Sequence, residues 1–259
     1  MDKKKIEAQH YDQKAEKAEL EELKKDFSLS KSDRILRNAH YCYIQNIQKN
    51  CQNISSGIFL DYGCGTGVKH HEFAKGTNHI VGIDVSSKSI EIGNKIAQEK
   101  KLNAEYFVMD CEKMNFNDNY FDAIFDYGTF SSLDTQKALP EIIRVMKPNA
   151  AIFAIETFGH NPITNLKRWI NVLRGKRTKW AANHIMKKKD WDLISTKFQF
   201  SEFYYFGFFV IFLGPVARFC PDFILKFFEA ADKLFFSFKP LKKYAFKTVV
   251  VLKNPIKQS

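Results

Sequence analysis

Three glycines at alternate positions, Gly63, Gly65 and Gly67, follow an apolar run in the stretch FLDYGCGTGVKHHEF, residues 59–73. Glycine is placed where the chain must turn tightly or where a ligand must come close to the backbone. One acid, Asp61, stands two residues ahead of the first glycine, and another, Asp84, lies in the next apolar run, HIVGIDVS. In an open sheet wound with helices, ligands lie beyond the carboxyl ends of the strands. A carboxylate at the end of the second strand can accept hydrogen bonds from two ribose hydroxyls. The loop and Asp84 therefore suit a nucleoside-bearing cofactor, either a nicotinamide dinucleotide or adenosylmethionine. Val68 stands where the dinucleotide fingerprint wants its third glycine, and Asp61 suits a ligand that carries an ammonium group.

Such residues need strands to aim them. Five short apolar runs, GIFLDYG, HIVGIDVS, EYFVMD, FDAIFDYG and AAIFAIET, alternate with helix-like stretches, the pattern of a parallel α/β sheet. Ile35, Leu36, Tyr43, Ile44 and Ile47 have helical spacing ahead of the first strand, KPNA (147–150) reads as the turn into the fifth, and His70 and His71 read as surface positions opening a helix. Past Thr157 the composition changes: residues 198–246 hold 15 of the 25 phenylalanines, and Trp169, Trp180 and Trp191 come just before. A sixth strand is expected in the first part of 203–217, and YAFKTVVVLK closes the sheet. The expected division is a cofactor-binding core over 1–157 and a substrate-side elaboration over 158–259.

The motifs HYDQKA, LDYGCGTG, GIDVS, MDCEKMNFNDNYFDAI and EIIRVMKPNA, in that order from about Tyr11 to Thr157, resemble those of class I S-adenosylmethionine-dependent methyltransferases, closest to the ubiquinone/menaquinone C-methyltransferase-like branch. The resemblance implies a Rossmann-like seven-stranded sheet with helices on both faces and, here, a hydrophobic insertion before the last strand. It implies S-adenosyl-L-methionine as cofactor, and the cysteines, which show no CxxC pairing or histidine spacing, point to no structural metal. Asp61, Gly63, Cys64 and Gly65 would surround its methionine part, with Gly67 allowing the following helix to pack closely. Asp84 would hold the ribose, Val85 would lie against the adenine, and Asp110, with Cys111 beside it, would accept from the adenine amino group. Tyr127 would line the methyl-transfer site and Tyr11 would sit on an N-terminal lid helix. Ser131, Ser132 and Leu133 replace the His-His-Leu of many relatives, and Pro148, Asn149 and Ala150 replace Pro-Gly-Gly.

The acceptor side is read from ETFGHNPITNLKRW, residues 156–169. Glu156 at a strand end and His160 just beyond it would sit beside the transferred methyl. A histidine there could take the proton from an acceptor hydroxyl, with His184 a second candidate base. A sulfonium donor is already activated, so alignment and exclusion of water supply much of the catalysis, and no triad is required.

Composition narrows the partners. Lys plus Arg number 40 against 29 Asp plus Glu, a formal charge of +11. Residues 161–190 carry nine of the bases (Lys167, Arg168, Arg174, Lys176, Arg177, Lys179, Lys187, Lys188, Lys189) against one acid, Asp190. Such a field attracts RNA, an anionic membrane or a phosphorylated substrate alike. The phenylalanine-rich segments that follow favour a lipid-like small-molecule acceptor. RNA methylation and a non-catalytic cofactor-binding scaffold are the alternatives. FYYFGFFVIFLGPVA (203–217), which contains Pro215 and is followed by Arg218, is too short to span a bilayer. The next segment puts Phe223, Phe227, Ala230 and Leu234 on a helical stripe opposed by Asp222, Lys226, Glu229 and Lys233. That stripe would either close over the active site or lie in a membrane interface. Five cysteines without zinc spacing and a charged leader point to the cytoplasm, with peripheral contact at the inner face of the membrane.

Overall fold

The computed structural model describes residues 3–22, 34–73, 78–173, 185–217 and 219–257. Trp180, His184, Arg174, Lys176, Arg177, Lys179 and Arg218 lie outside the described residues. In chain order the main elements are α1 (Lys3–Glu22), α2 (Arg37–Cys51), β1 (Ile58–Tyr62), β2 (His79–Asp84), α3 (Ser87–Glu99), β3 (Ala104–Val108), β4 (Phe121–Asp126), α4 (Thr135–Val145), β5 (Met146–Thr157), α5 (Pro162–Leu173), α6 (Lys188–Ser195), β6 (Phe198–Phe206), α7 (Asp222–Ser237) and β7 (Lys247–Pro255). The seven strands form one sheet in the order β3-β2-β1-β4-β5-β7-β6, parallel except for β7, which runs antiparallel to both neighbours.

Strand side chains alternate between faces, so each central strand feeds two cores. Phe59, Phe125, Phe153 and Val251 face α2, where they pack against Tyr43 and Ile47. Leu60, Ile124, Ile152 and Val250 face the other way, onto Ala138, Leu139 and Ile142 of α4. With both faces covered, the strands read as continuous apolar runs.

Four details depart from the sequence reading. KPNA is not a turn. It lies inside β5, where Phe121 pairs with Met146 but Ala123 pairs with Ala151, so the extra residues bulge out. Lys147 fastens the bulge by holding both oxygens of Asp122 at 2.8 Å. No α-helix begins at His70: the chain runs in turns through the glycine loop and a single 3-10 turn at His71–Phe73. Gly67 leaves room for the ring of Tyr106 from β3, which an added Cβ would meet at 2.3 Å, rather than for a helix. The sixth strand starts at Phe198, ahead of the expected segment, and ends where Gly207 takes φ +80°.

The glycine loop, the turn after β2 and the turn after β4 all leave carboxyl ends of adjacent parallel strands, so they meet at one end of the sheet. Helix α3 is capped there by Ser86, whose Oγ accepts from Ser89 N at 3.1 Å. Helix α1 crosses the same end. Asp12 accepts from Ser86 Oγ (2.6 Å) and Lys88 N (3.1 Å), and Ala15 packs on Ile92 and Ile96. A carboxylate at a helix N-terminus contributes about 0.3–1 kcal/mol.

Candidate active site

At that end lies a cavity of about 320 Å³, the size of a small-ligand pocket. All ten residues expected to touch the cofactor line it: Tyr11, Asp61, Gly63, Cys64, Gly65, Asp84, Val85, Asp110, Cys111 and Tyr127. Gly63 and Gly65 have φ of +66° and +54°. A Cβ on Gly63 would strike Thr129 at 2.2 Å, whereas one on Gly65 or on Gly128 would project into open space. The loop is therefore shaped as a cradle that side chains would fill.

The acids are arranged for different tasks. Asp84 accepts from Gly65 N and Ser86 N, both at 2.9 Å, one on each oxygen, which fixes the loop and leaves the outer lone pairs for a diol. Burial raises its carboxyl above the usual range, and these N–H donors oppose the rise. Asp61 is 2% exposed. Its Oδ1 lies 2.8 Å from His70 Nδ1, off the line of the ring N–H, and its Oδ2 has no donor among the described residues. His70 Nε2 in turn meets Tyr43 Oη at 2.7 Å. A buried carboxylate oxygen that wants a donor, in a cavity lined by a glycine cradle, fits the ammonium end of S-adenosylmethionine. Asp110 and Glu112 are both ion-paired with Lys4 of α1, the latter at 2.9 Å, so the helix closes the cleft at the Asp110 end. Burial pushes the thiols of Cys64 and Cys111 well up, which keeps them as neutral packing groups.

On the side of the turn after β4 the cavity includes Tyr127, Gly128, Thr129, Ser132 and Leu133. Tyr127 sits against His40, with its hydroxyl 3.5 Å from Nδ1, and Lys69 Nζ lies 4.7 Å from its ring centre. The turn is held from beneath by two fully buried acids. Asp126 accepts from Thr129 N (2.9 Å), and Glu156 accepts from Ser131 N (3.2 Å) and Ser131 Oγ (3.1 Å). Burial raises both carboxyls, Asp126 the more strongly, because the charge of Glu156 adds to it.

Glu156 and His160 are not part of the cavity wall. Glu156 instead holds Ser131, beside the lining residues of the turn. The His160 ring lies against Phe158, and its Nε2 accepts from Lys188 N at 3.1 Å. Burial, then Lys187 and Lys243, lower its pKa. Arg168, counted in the basic stretch, is 6% exposed and turned inward to Asn165 and the Phe158 carbonyl.

His70 is the correction of most consequence. Read as a surface position, it is 1% exposed, lines the cavity and touches Asp61. Nothing in its spacing announced this, because the turn that folds it back replaces the helix that would have carried it outward. Lys4 and Thr129 were likewise missed. They enter the wall through α1 and the β4 turn, without a motif of their own.

Residues 53–204 match the family model described as "Methyltransferase domain". The chain is 27% identical over 158 residues to the demethylmenaquinone methyltransferase of Lactococcus lactis, covering 57% of this chain and 63% of that protein. It thus spans less than two thirds of that relative's length. It is 32% identical over 190 residues to an uncharacterized protein of Methanocaldococcus jannaschii, covering 68% of each. The geranyl diphosphate C-methyltransferase of Streptomyces coelicolor, solved with S-adenosyl-L-homocysteine, shares the fold with a TM-score of 0.56 at 14% identity, covering 84% of this chain and 80% of that one.

Proposed function

Starting from the premise that this chain belongs to the methyltransferase domain family, we propose that it is an S-adenosylmethionine-dependent methyltransferase whose acceptor is a lipid-like small molecule met in peripheral contact with an anionic membrane. The observation that carries the acceptor's character is the segment beside the cofactor end of the sheet. Residues 207–246, between β6 and β7, supply a surface of large apolar side chains, among them Phe219, Phe223 and Phe227 at 82%, 72% and 69% exposure. A related demethylmenaquinone methyltransferase, whose name implies a quinone acceptor, supports the same chemical class.

In this reading Asp61 Oδ2 receives the cofactor's ammonium, Gly63, Cys64 and Gly65 leave room for its methionine chain, and Asp84 accepts from the ribose hydroxyls. Val85, Asp110 and Cys111 border the adenine, and Tyr11 covers it from α1. Bound there, the cofactor supplies an activated methyl group. The chain's own contribution is alignment and exclusion of water, with Tyr127 and the Gly128–Leu133 turn shaping the acceptor's approach. Glu156 acts on that turn through Ser131. His160 steadies the start of α6 through Lys188.

The test is to incubate the protein with methyl-labelled cofactor and cell extract separated into lipid, RNA and aqueous fractions. Label in an organic-soluble product supports the reading. Label confined to RNA or to water-soluble metabolites overturns it.

A further inference from the structure

The α7 helix is apolar on two sides. Leu225, Asp232 and Phe236 are buried toward the sheet, with Ile224, Phe228 and Phe235 half-buried beside them. The stripe expected from the sequence faces outward: Phe223, Phe227 and Leu234 are 72%, 69% and 68% exposed, and Phe238, just past the helix, is 60% exposed. Positions i, i+4, i+11 and i+15 lie on one helical face, so these four side chains form a ridge in water. Exposed apolar surface of this extent marks an interaction site.

The charges on the helix decide what the ridge can meet. Each acid is already engaged, Asp222 at the surface and Glu229 and Asp232 against the body of the protein. Asp222 pairs with Arg34 at 2.9 Å, and Glu229 holds Arg37 at 2.7 and 3.1 Å. Asp232 accepts from the backbone N–H groups of Gly207, Phe208 and Phe209. Lys226 and Lys233 are exposed and have no acidic partner among the described residues, and Lys239 follows at the helix end. An apolar ridge edged by uncompensated lysines matches an anionic lipid surface. A second copy laid on the same face would bring lysine against lysine.

Topology fixes which end of the sheet carries the helix. Lys247, at the start of β7, pairs with both Phe206 and Thr157. The chain therefore leaves β6 and re-enters β7 at the end of the sheet where the parallel strands terminate and the cofactor cavity opens. The helix is 16 residues long, about 24 Å at 1.5 Å per residue, and no described helix is long and apolar enough to cross a membrane.

We propose that α7 is an in-plane membrane-docking helix, its Phe223/Phe227/Leu234/Phe238 ridge set among the acyl chains of an anionic leaflet and Lys226 and Lys233 at the headgroups, so that the active-site end of the sheet faces the bilayer. This rests on the reading of a lipid-like acceptor and gives it a route of approach.

The experiment is flotation of the full chain with vesicles of phosphatidylcholine alone or mixed with phosphatidylglycerol, at low and high salt. Wild type floats with the anionic vesicles at low salt and is released by salt. K226Q/K233Q binds about 25-fold more weakly, at about fivefold per lysine. F223S/F227S loses binding to the anionic vesicles. Calorimetric cofactor affinity, unchanged in both variants, serves as the folding control. Wild type left unbound by anionic vesicles at low salt overturns the proposal, as does F223S/F227S binding like wild type. A concentration-dependent dimer dissolved by F227S would reassign the ridge to self-association. Methylation of a detergent-dispersed total lipid extract by F223S/F227S, read with methyl-labelled cofactor, separates the two readings: its persistence alongside lost flotation supports docking, whereas flotation without any organic-soluble methyl product would leave docking standing and defeat the acceptor reading.

Discussion

Replacing Asp61 by Asn should weaken the cofactor without weakening the fold. The side chain is 2% exposed, its Oδ1 beside His70 and its Oδ2 facing no donor. A buried polar atom left without a partner costs about 1–3 kcal/mol, so in the ligand-free protein this carboxylate is a liability that Asn reduces by removing the charge at nearly the same shape. Once an ammonium group enters the cavity, the same oxygen makes a charge-assisted hydrogen bond, a contact worth about 1.5–3 kcal/mol. Asp61→Asn should therefore raise the dissociation constant for S-adenosylmethionine about 10- to 150-fold. The melting temperature of the free protein should hold or rise, by about 2–4 °C for each kcal/mol recovered. Isothermal calorimetry gives the first quantity and a thermal melt the second. Unchanged affinity refutes the assignment of Oδ2 to the ammonium. A loss of affinity matched by a comparable fall in melting temperature refutes the reasoning by making Asp61 a structural residue.

The two loop glycines should separate packing from binding. Gly65→Ala places its Cβ in open cavity, so it costs about 1–2 kcal/mol of backbone strain and weakens the cofactor. Gly63→Ala adds a clash with Thr129 and should melt markedly lower, as paired denaturation and binding curves would reveal. The buried Asp126 carboxyl is raised well above its unfolded value, so the folded state keeps a proton that the unfolded chain has lost. Stability should fall as pH rises from the ordinary carboxylate range through that raised value. Asp126→Asn should flatten this decline in denaturant titrations, and an identical slope would clear Asp126 as its source. His160→Ala should keep turnover within about tenfold of wild type. A loss of about 100-fold or more with intact cofactor affinity would make His160 a general base after all.

The strands and the cofactor-side acids were legible because their signals are local. A strand buried on both faces must be an apolar run, and a loop that cradles a ligand must be rich in glycine. Asp61, Asp84 and Asp110 occupy fixed places relative to those runs. What was not legible depends on how the chain folds back. His70 is drawn inward by Asp61 and Tyr43, which lie 9 and 27 residues away in sequence. The KPNA bulge depends on a Lys147–Asp122 contact across two strands. The facing of α7 was ambiguous because the helix is apolar on both sides. Asp232, a charge that sequence patterning would assign to solvent, is buried instead, because Gly207, Phe208 and Phe209 present three N–H groups to it.

The most direct measurement is a crystal structure of the protein with S-adenosyl-L-homocysteine. The expected result places the ligand's ammonium within hydrogen-bond reach of Asp61 Oδ2, its ribose hydroxyls on Asp84 and its adenine between Val85 and Asp110, with its sulfur turned toward Tyr127. Ligand density outside this cavity, or a ribose that leaves Asp84 untouched, would contradict the assignment of the site.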